Sequence, residues 1–191
     1  MIAQLRGQII EKNATNLVID CNGVGYDVKI SLNTYSQIKE NESEVIYIQM
    51  IVREDAHLLY GFAKKEEREI FNQLISVSGI GPNTAMIMLS SLSPSEVVKA
   101  ISTEDLRTIQ SVKGIGLKTA QRVIVDLKDK IVKVDMQTEN ILNKHNTNRF
   151  DALNALSSLG FDKKAIERAF DKIDTGKESV EELIKKALKV L

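Results

Sequence analysis

The chain carries one phrase twice: SVSGIGPNTAMIMLSSL at residues 76–92 and SVKGIGLKTAQRVIVDL at residues 111–127. Setting Gly79 on Gly114, an offset of 35 (114 minus 79), also pairs Ser76 with Ser111, Val77 with Val112, Ile80 with Ile115 and Gly81 with Gly116. The same offset pairs Thr84 with Thr119, Ala85 with Ala120 and Leu92 with Leu127. Identities this dense at one offset mark the duplication of a structural unit. Within each copy a helix ends, two glycines flank one aliphatic residue, and a new helix begins. Glycine permits the sharp turn and lets the backbone come close to whatever it faces.

That arrangement predicts an anion site. The helix after each turn starts with unpaired backbone N–H groups and the positive end of its dipole, and glycines without side chains let a phosphate reach them. Such a contact reads no base, because every nucleotide has the same phosphate. Ile80 and Ile115 are expected to pin the turns inward, while Ala85 and Ala120 allow close helix packing. In the second copy Ala120, Val123, Ile124 and Leu127 form an inward stripe, leaving Lys118 and Arg122 on the outer face. The candidate DNA-binding residues are therefore Gly79, Ile80, Gly81 and Asn83 from the first copy. From the second they are Lys113, Gly114, Ile115, Gly116, Lys118, Thr119 and Arg122. A single Gly-x-Gly joins helices in many all-α bundles without binding anything; two copies, one of them ringed by cations, favour the anion site. The copies differ, since Ser78, Asn83 and Ile87 stand where the second has Lys113, Lys118 and Arg122. The second is expected to carry most of the salt-sensitive affinity. Other phosphate motifs do not fit: no Gly-Lys-Ser/Thr follows a strand, and neither copy lies in a strand–helix–strand unit.

Charge bounds the partner further. With 26 basic and 26 acidic residues the chain has no overall polybasic character, so any anion-binding surface must be local. The low aromatic content, 5%, and the absence of tryptophan argue for two or three small domains rather than one large core. A single cysteine, Cys21, forms no intramolecular disulfide, and Arg6 and Gly7 interrupt what would have to be the apolar run of a signal peptide, so a cytoplasmic setting is expected. No segment has the apolar length of a membrane span. His57 and His145 are far apart, with no further Cys or His to complete a metal set, and read as surface or loop residues. No metal, cofactor or catalytic residue is expected.

Residues 1–63 read as five short strands: the run before Glu11, then LVID, YDVKI, EVIYIQMIV and LLYGF. Asn22-Gly23 is a two-residue hairpin signal, and NTYSQIK predicts one helical turn between the third and fourth strands. This layout matches an oligonucleotide/oligosaccharide-type (OB) barrel, although a sandwich fragment has the same pattern. From residue 64 to 133 the period becomes helical, in the order helix, hairpin, helix, connecting helix, helix, hairpin, helix. Ser93-Pro94 opens the connecting helix, and Ser102 or Thr103 is expected to cap the next, with Glu104 and Asp105 in its first turn. Residues 134–147 lose apolar periodicity and read as a flexible linker. Residues 148–191 read as a three-helix module: Phe150, Leu153, Leu156 and Leu159 form one stripe, Gly160 stops that helix, and Asp162 caps the next. Val180, Leu183, Ile184, Ala187, Leu188 and Leu191 form a second stripe. A core this small is marginal alone, which makes docking on a partner natural.

The tandem GIGPNTA and GIGLKTA hairpins, preceded by LRG, GVGYDV and VREDAHLLYGF and followed by the helical module, resemble the RuvA family of bacterial Holliday junction branch-migration subunits across essentially the whole chain. The resemblance implies an α+β multidomain chain: an OB-type barrel, a tandem helix-hairpin-helix domain and a three-helix, UBA-like C-terminal module. It implies a homotetramer, one or two per junction, holding four-way DNA open and square for recombination and repair. It also implies docking of the C-terminal module on the hexameric RuvB motor, which hydrolyses ATP, with the RuvC resolvase a further partner. The family's acidic pin falls on Glu54 and Asp55, whose charge would repel phosphates at the junction centre. Without the resemblance those two residues read as an ordinary solvated loop or, more sharply, as a carboxylate pair for metal-dependent cleavage, for which two acids without a third are thin. Two other functions compete. A repair nuclease or glycosylase would need a reactive lysine or clustered carboxylates, and no convincing set is present. A single-strand binder would need exposed aromatics, and Tyr26, Tyr47 and Tyr60 are few and plausible as core.

Overall fold

The computed structural model of the chain describes residues 1–40, 42–139, 144–174 and 178–191. Five strands come first: β1 Gln4–Lys12, β2 Asn16–Cys21, β3 Val24–Ile30, β4 Ser43–Val52 and β5 His57–Phe62, with the short helix α1, Leu32–Gln37, between β3 and β4. They close into a barrel in the order β1-β2-β3-β5-β4, which decides against a sandwich fragment. Every pairing is antiparallel except β3 with β5, where Lys29 faces Tyr60 and Ile30 faces Gly61. A bulge between Ile9 and Glu11 lets β1 curve enough to pair with both β2 and β4. Alternation sets the inside: Leu17, Ile19, Val28, Ile30, Ile46 and Ile48 are all buried in the barrel core. At the β2–β3 hairpin Asn22 and Gly23 both adopt positive φ, 55° and 89°, as a two-residue turn requires.

The outer wall of β5 is covered by helices. Tyr60 and Phe62 are fully buried against Phe71 of α2, Lys65–Ile75, with ring centroids 5.2 and 5.1 Å away. A polar clasp reinforces this contact. Glu67 of α2 is 1% exposed, yet its carboxylate accepts hydrogen bonds from Ser31 Oγ at 2.5 Å and Thr34 Oγ1 at 2.7 Å. Both hydroxyls are themselves buried, and Thr34 Oγ1 also accepts from the Ala63 N–H. A buried carboxylate is tolerated because each oxygen has a donor. Residues Met1–Val132 form one compact unit. After α2 come α3, Pro82–Ser91, α4, Pro94–Ser102, α5, Leu106–Gln110, and α6, Leu117–Glu139.

Local chemistry explains the helix borders. Ser93 closes a capping box with Glu96, and Pro94 takes the first helical position of α4. The cap of α5 is Asp105, rather than Ser102 or Thr103: its carboxylate accepts from the Thr108 N–H and hydroxyl. Thr103 instead ends α4, and Glu104 takes a positive φ of 55°, so neither precursor has the geometry of a cap. The stretch read as a linker is helical at both ends, because α6 continues to Glu139 and α7 begins at Lys144. Val134–Glu139 contains no glycine or proline to stop a helix. Residues 140–143 lie outside the described residues.

Residues Lys133–Leu191 form the second unit. Its helices α7, Lys144–Ser158, α8, Lys163–Ile173, and α9, Val180–Ala187, share a core that includes Leu156, Ile166, Phe170 and Leu183. Gly160 terminates α7 with φ 95°, and Asp162 caps α8 by accepting from the Lys164 and Ala165 N–H groups. Leu159, Leu188 and Leu191 leave the stripes expected of them and are exposed, since α7 ends at Ser158 and α9 at Ala187.

Candidate nucleic-acid interface

Each hairpin is built by the same hydrogen bonds at the same offset. Val77 N–H donates to Leu74 O and Ile80 N–H to Val77 O; Val112 N–H donates to Ile109 O and Ile115 N–H to Val112 O. Ser76 Oγ donates to Gln73 O, and Ser111 Oγ to Thr108 O, both at 2.7 Å. Gly79 and Gly114 then reverse the chain with φ values of 98° and 91°, a region that costs any other L-residue about 1–2 kcal/mol. Ile80 and Ile115, 5% and 6% exposed, anchor the turns in the helical core, and Ala85 and Ala120 are fully buried where the helices pack. The inward stripe Ala120, Val123, Ile124 and Leu127 is buried as a set.

The glycines themselves face outward. Gly79, Gly81, Gly114 and Gly116 are all exposed. A methyl group placed on Gly81, Gly114 or Gly116 would meet no atom within 4 Å. Helix α3 closes its first turn with Ala85 N–H to Gly81 O, and α6 with Ala120 N–H to Gly116 O at 2.9 Å. The amides before those residues have no partner within their own helix. In α6 these are Leu117, Lys118 and Thr119. In α3 they are only Asn83 and Thr84, because Pro82 has no N–H. The first hairpin is thus poorer in main-chain donors as well as in cations.

Lys113 and Lys118 are exposed, and neither has an ion-pair partner among the described residues. Arg122 is also exposed but is not idle: its Nη1 donates to Ser78 O at 3.1 Å, tying α6 to the first hairpin. The two turns are therefore neighbours, and a methyl group on Gly79 would sit 3.7 Å from Thr119 Oγ1. Asn83 is exposed and accepts a long bond, 3.4 Å, from the Tyr60 hydroxyl of the barrel. Burial pushes the Tyr60 pKa up, opposed by the positive charge of Arg53. Neither the Arg122–Ser78 nor the Tyr60–Asn83 contact has a sequence signal, because their separations of 44 and 23 residues match no local period.

Glu54 and Asp55 lie exposed in the loop joining β4 to β5, where Arg53 N–H donates to Ala56 O at 2.8 Å. Among the described residues no group of three or more His, Cys, Asp or Glu side chains is placed to hold a metal ion. His57 is exposed at the start of β5; the side chain of His145 lies outside the described residues. Among the described residues no helix is long and apolar enough to cross a membrane.

Comparison with known families matches three successive models along the chain: the RuvA N terminal domain over residues 1–61, the SAM-like helix-hairpin-helix tandem over 71–129, and the RuvA C-terminal domain over 147–191. The chain belongs to the RuvA family. It is 54% identical to the Holliday junction branch migration complex subunit RuvA of Christiangramia forsetii, across the full length of both chains. To the subunits of the same name from Flavobacterium psychrophilum and Legionella pneumophila it is 49% and 44% identical. Those matches span all of this chain and 100% and 98% of the relatives. The family's three-part order is the order of the barrel, the paired hairpins and the terminal helices described above.

Proposed function

We propose that this chain binds four-way DNA junctions by their sugar-phosphate backbone and serves as the non-catalytic DNA-binding subunit of a branch-migration complex. The observation that carries the proposal is the exposure of both glycine turns, with open space over Gly81, Gly114 and Gly116. Phosphates docked there would accept from the amides of Asn83, Thr84, Leu117, Lys118 and Thr119, in the field of two helix N-termini. Lys113, Lys118 and Arg122 add charge without base readout. Specificity then comes from geometry, because several paired turns, one pair per subunit, are satisfied together only by arms of the right mutual angle.

In this reading four subunits surround the junction, and one or two such tetramers engage it. Glu54 and Asp55 stand at its centre and repel phosphates, so that an uninterrupted duplex is disfavoured. The C-terminal module docks on a RuvB-type motor that supplies ATP hydrolysis, and a RuvC-type resolvase acts on the same junction in the cytoplasm. Domain assignment follows: barrel 1–63, hairpins 64–133, connecting segment 134–147 and motor-binding module 148–191. A gel-shift comparison of a four-way junction with linear duplex and single strand of the same length tests the proposal. Tighter binding to the junction, without nicks when a divalent metal is added, supports it. Equal binding to duplex, or strand cleavage, contradicts it.

A further inference from the structure

The second hairpin has Lys118 at the second residue of its helix; at the offset of 35, the first has Asn83, which is uncharged. A cation from the barrel stands close by. The Tyr60 hydroxyl donates to Asn83 Oδ1, which leaves the amide's Nδ2 without a partner among the described residues. Lys29 faces Tyr60 across the parallel β3–β5 pairing, and its Nζ sits 5.8 Å from the ring centroid. Val28 and Ile30 on either side point into the barrel, so Lys29 points out, onto the wall that the hairpin helices cover. The Tyr60 ring is fully buried while Lys29 is only half-buried. The aliphatic stem can therefore lie along apolar surface with the ammonium at the rim. No carboxylate pairs with that ammonium among the described residues.

We propose that Lys29, held one tyrosine ring away from Asn83, is a phosphate contact lent by the barrel to the first hairpin. The inference rests on the backbone-binding function proposed above and adds a site outside both glycine motifs. Its ligand is a phosphodiester of the same DNA strand that docks on α3, with the Asn83 Nδ2 as a neutral second donor. The two hairpins are thereby equalised: one draws its cation from its own helix, the other from a strand distant in sequence. The arrangement also fixes the barrel's register against the DNA, because the cation sits on β3 rather than on a helix.

The test uses the full-length chain and a fluorescent four-way junction, with binding measured across a series of potassium chloride concentrations. Lys29→Met keeps the stem over Tyr60 and removes the charge; Lys29→Arg keeps the charge. The expected result is that K29M lowers the steepness of log K against log salt by about 0.9 for each phosphate it no longer neutralises. K29M should also weaken binding most at low salt, while K29R keeps the wild-type slope and all three proteins melt together. A K29M protein with wild-type slope and affinity overturns the inference. So does a K29R protein that binds as weakly as K29M, since the lysine would then act through packing. If the wild-type protein itself fails to prefer the junction to duplex, the underlying function is at fault instead of this site.

Discussion

Replacing Gly116 by alanine separates folding from binding more cleanly than any other single change. Gly116 is outside the positive-φ region, and a methyl group there would meet nothing within 4 Å. Gly81 has the same open surroundings and φ of −87°. Alanine in such a conformation stabilises a protein by about 0.4–1 kcal/mol through the unfolded chain. Against that stands the poorer performance of alanine as an N-cap, a cost of about 0.5–1 kcal/mol relative to glycine. The two nearly cancel, leaving at most about 0.6 kcal/mol, and since about 1 kcal/mol shifts Tm by roughly 2–4 °C in a protein of this size, the expected change is roughly 2 °C or less. On the DNA side the methyl group stands where a phosphate must come to reach the amides of Leu117, Lys118 and Thr119. Removing one hydrogen bond to a charged phosphate costs about 1.5–3 kcal/mol, or about tenfold to 150-fold in affinity. Differential scanning fluorimetry and fluorescence anisotropy on a four-way junction measure the two quantities on one sample. Gly79→Ala and Gly114→Ala are the contrast, because φ values of 98° and 91° make both lose stability as well. Unchanged junction affinity in folded G81A and G116A proteins would refute the reasoning.

Three further outcomes are expected. Lys118→Ala should flatten the salt dependence of junction binding by about 0.9 per neutralised phosphate without changing Tm, whereas Arg122→Ala should also loosen the first hairpin. That loosening is read as faster amide exchange near Gly79, because the variant cannot make the Arg122–Ser78 bond. Replacing Glu54 by Gln together with Asp55 by Asn should raise duplex affinity more than junction affinity; a gel shift showing the same preference as wild type would remove the repulsive role. Hydrogen bonds from the Thr108 hydroxyl and N–H hold the Asp105 carboxyl below the usual range. The stability it contributes is therefore complete above its unfolded value of about 4 and is lost as the pH falls through the lower folded value. A thermal-melt series from pH 6 downwards should fall less steeply for Asp105→Ala than for wild type.

The parts of this molecule that are legible in its sequence are those with a period or a repeat. Alternation locates the five strands, Asn22-Gly23 their tightest turn, and the duplicated phrase both hairpins, because each of these is decided by neighbours in the chain. The N-cap of α5 lies a few residues beyond its expected place, since Ser102, Thr103 and Asp105 are all competent caps and only the positive φ of Glu104 selects among them. The end of α6 differs for another reason: Met136, Gln137 and Glu139, in a stretch that looks like linker, are also good helix formers. Long-range contacts leave no local trace. Glu67 sits among the charged residues that open α2, yet it is buried, with Ser31 and Thr34 of a distant segment supplying donors. Arg122 reads as a free cation, and only the folded chain brings Ser78 to it. Chemical type is written locally, whereas pairing depends on which segments the fold brings together.

The most direct test of main-chain recognition is an amide NMR titration of the isotopically labelled full-length chain with four-way junction DNA. The account predicts that the N–H resonances of Asn83, Thr84, Leu117, Lys118 and Thr119 shift first and furthest, and by the same amounts for junctions of unrelated base sequence. Resonances at these positions that stay in place while the junction binds elsewhere, or shifts that follow base sequence, would contradict it.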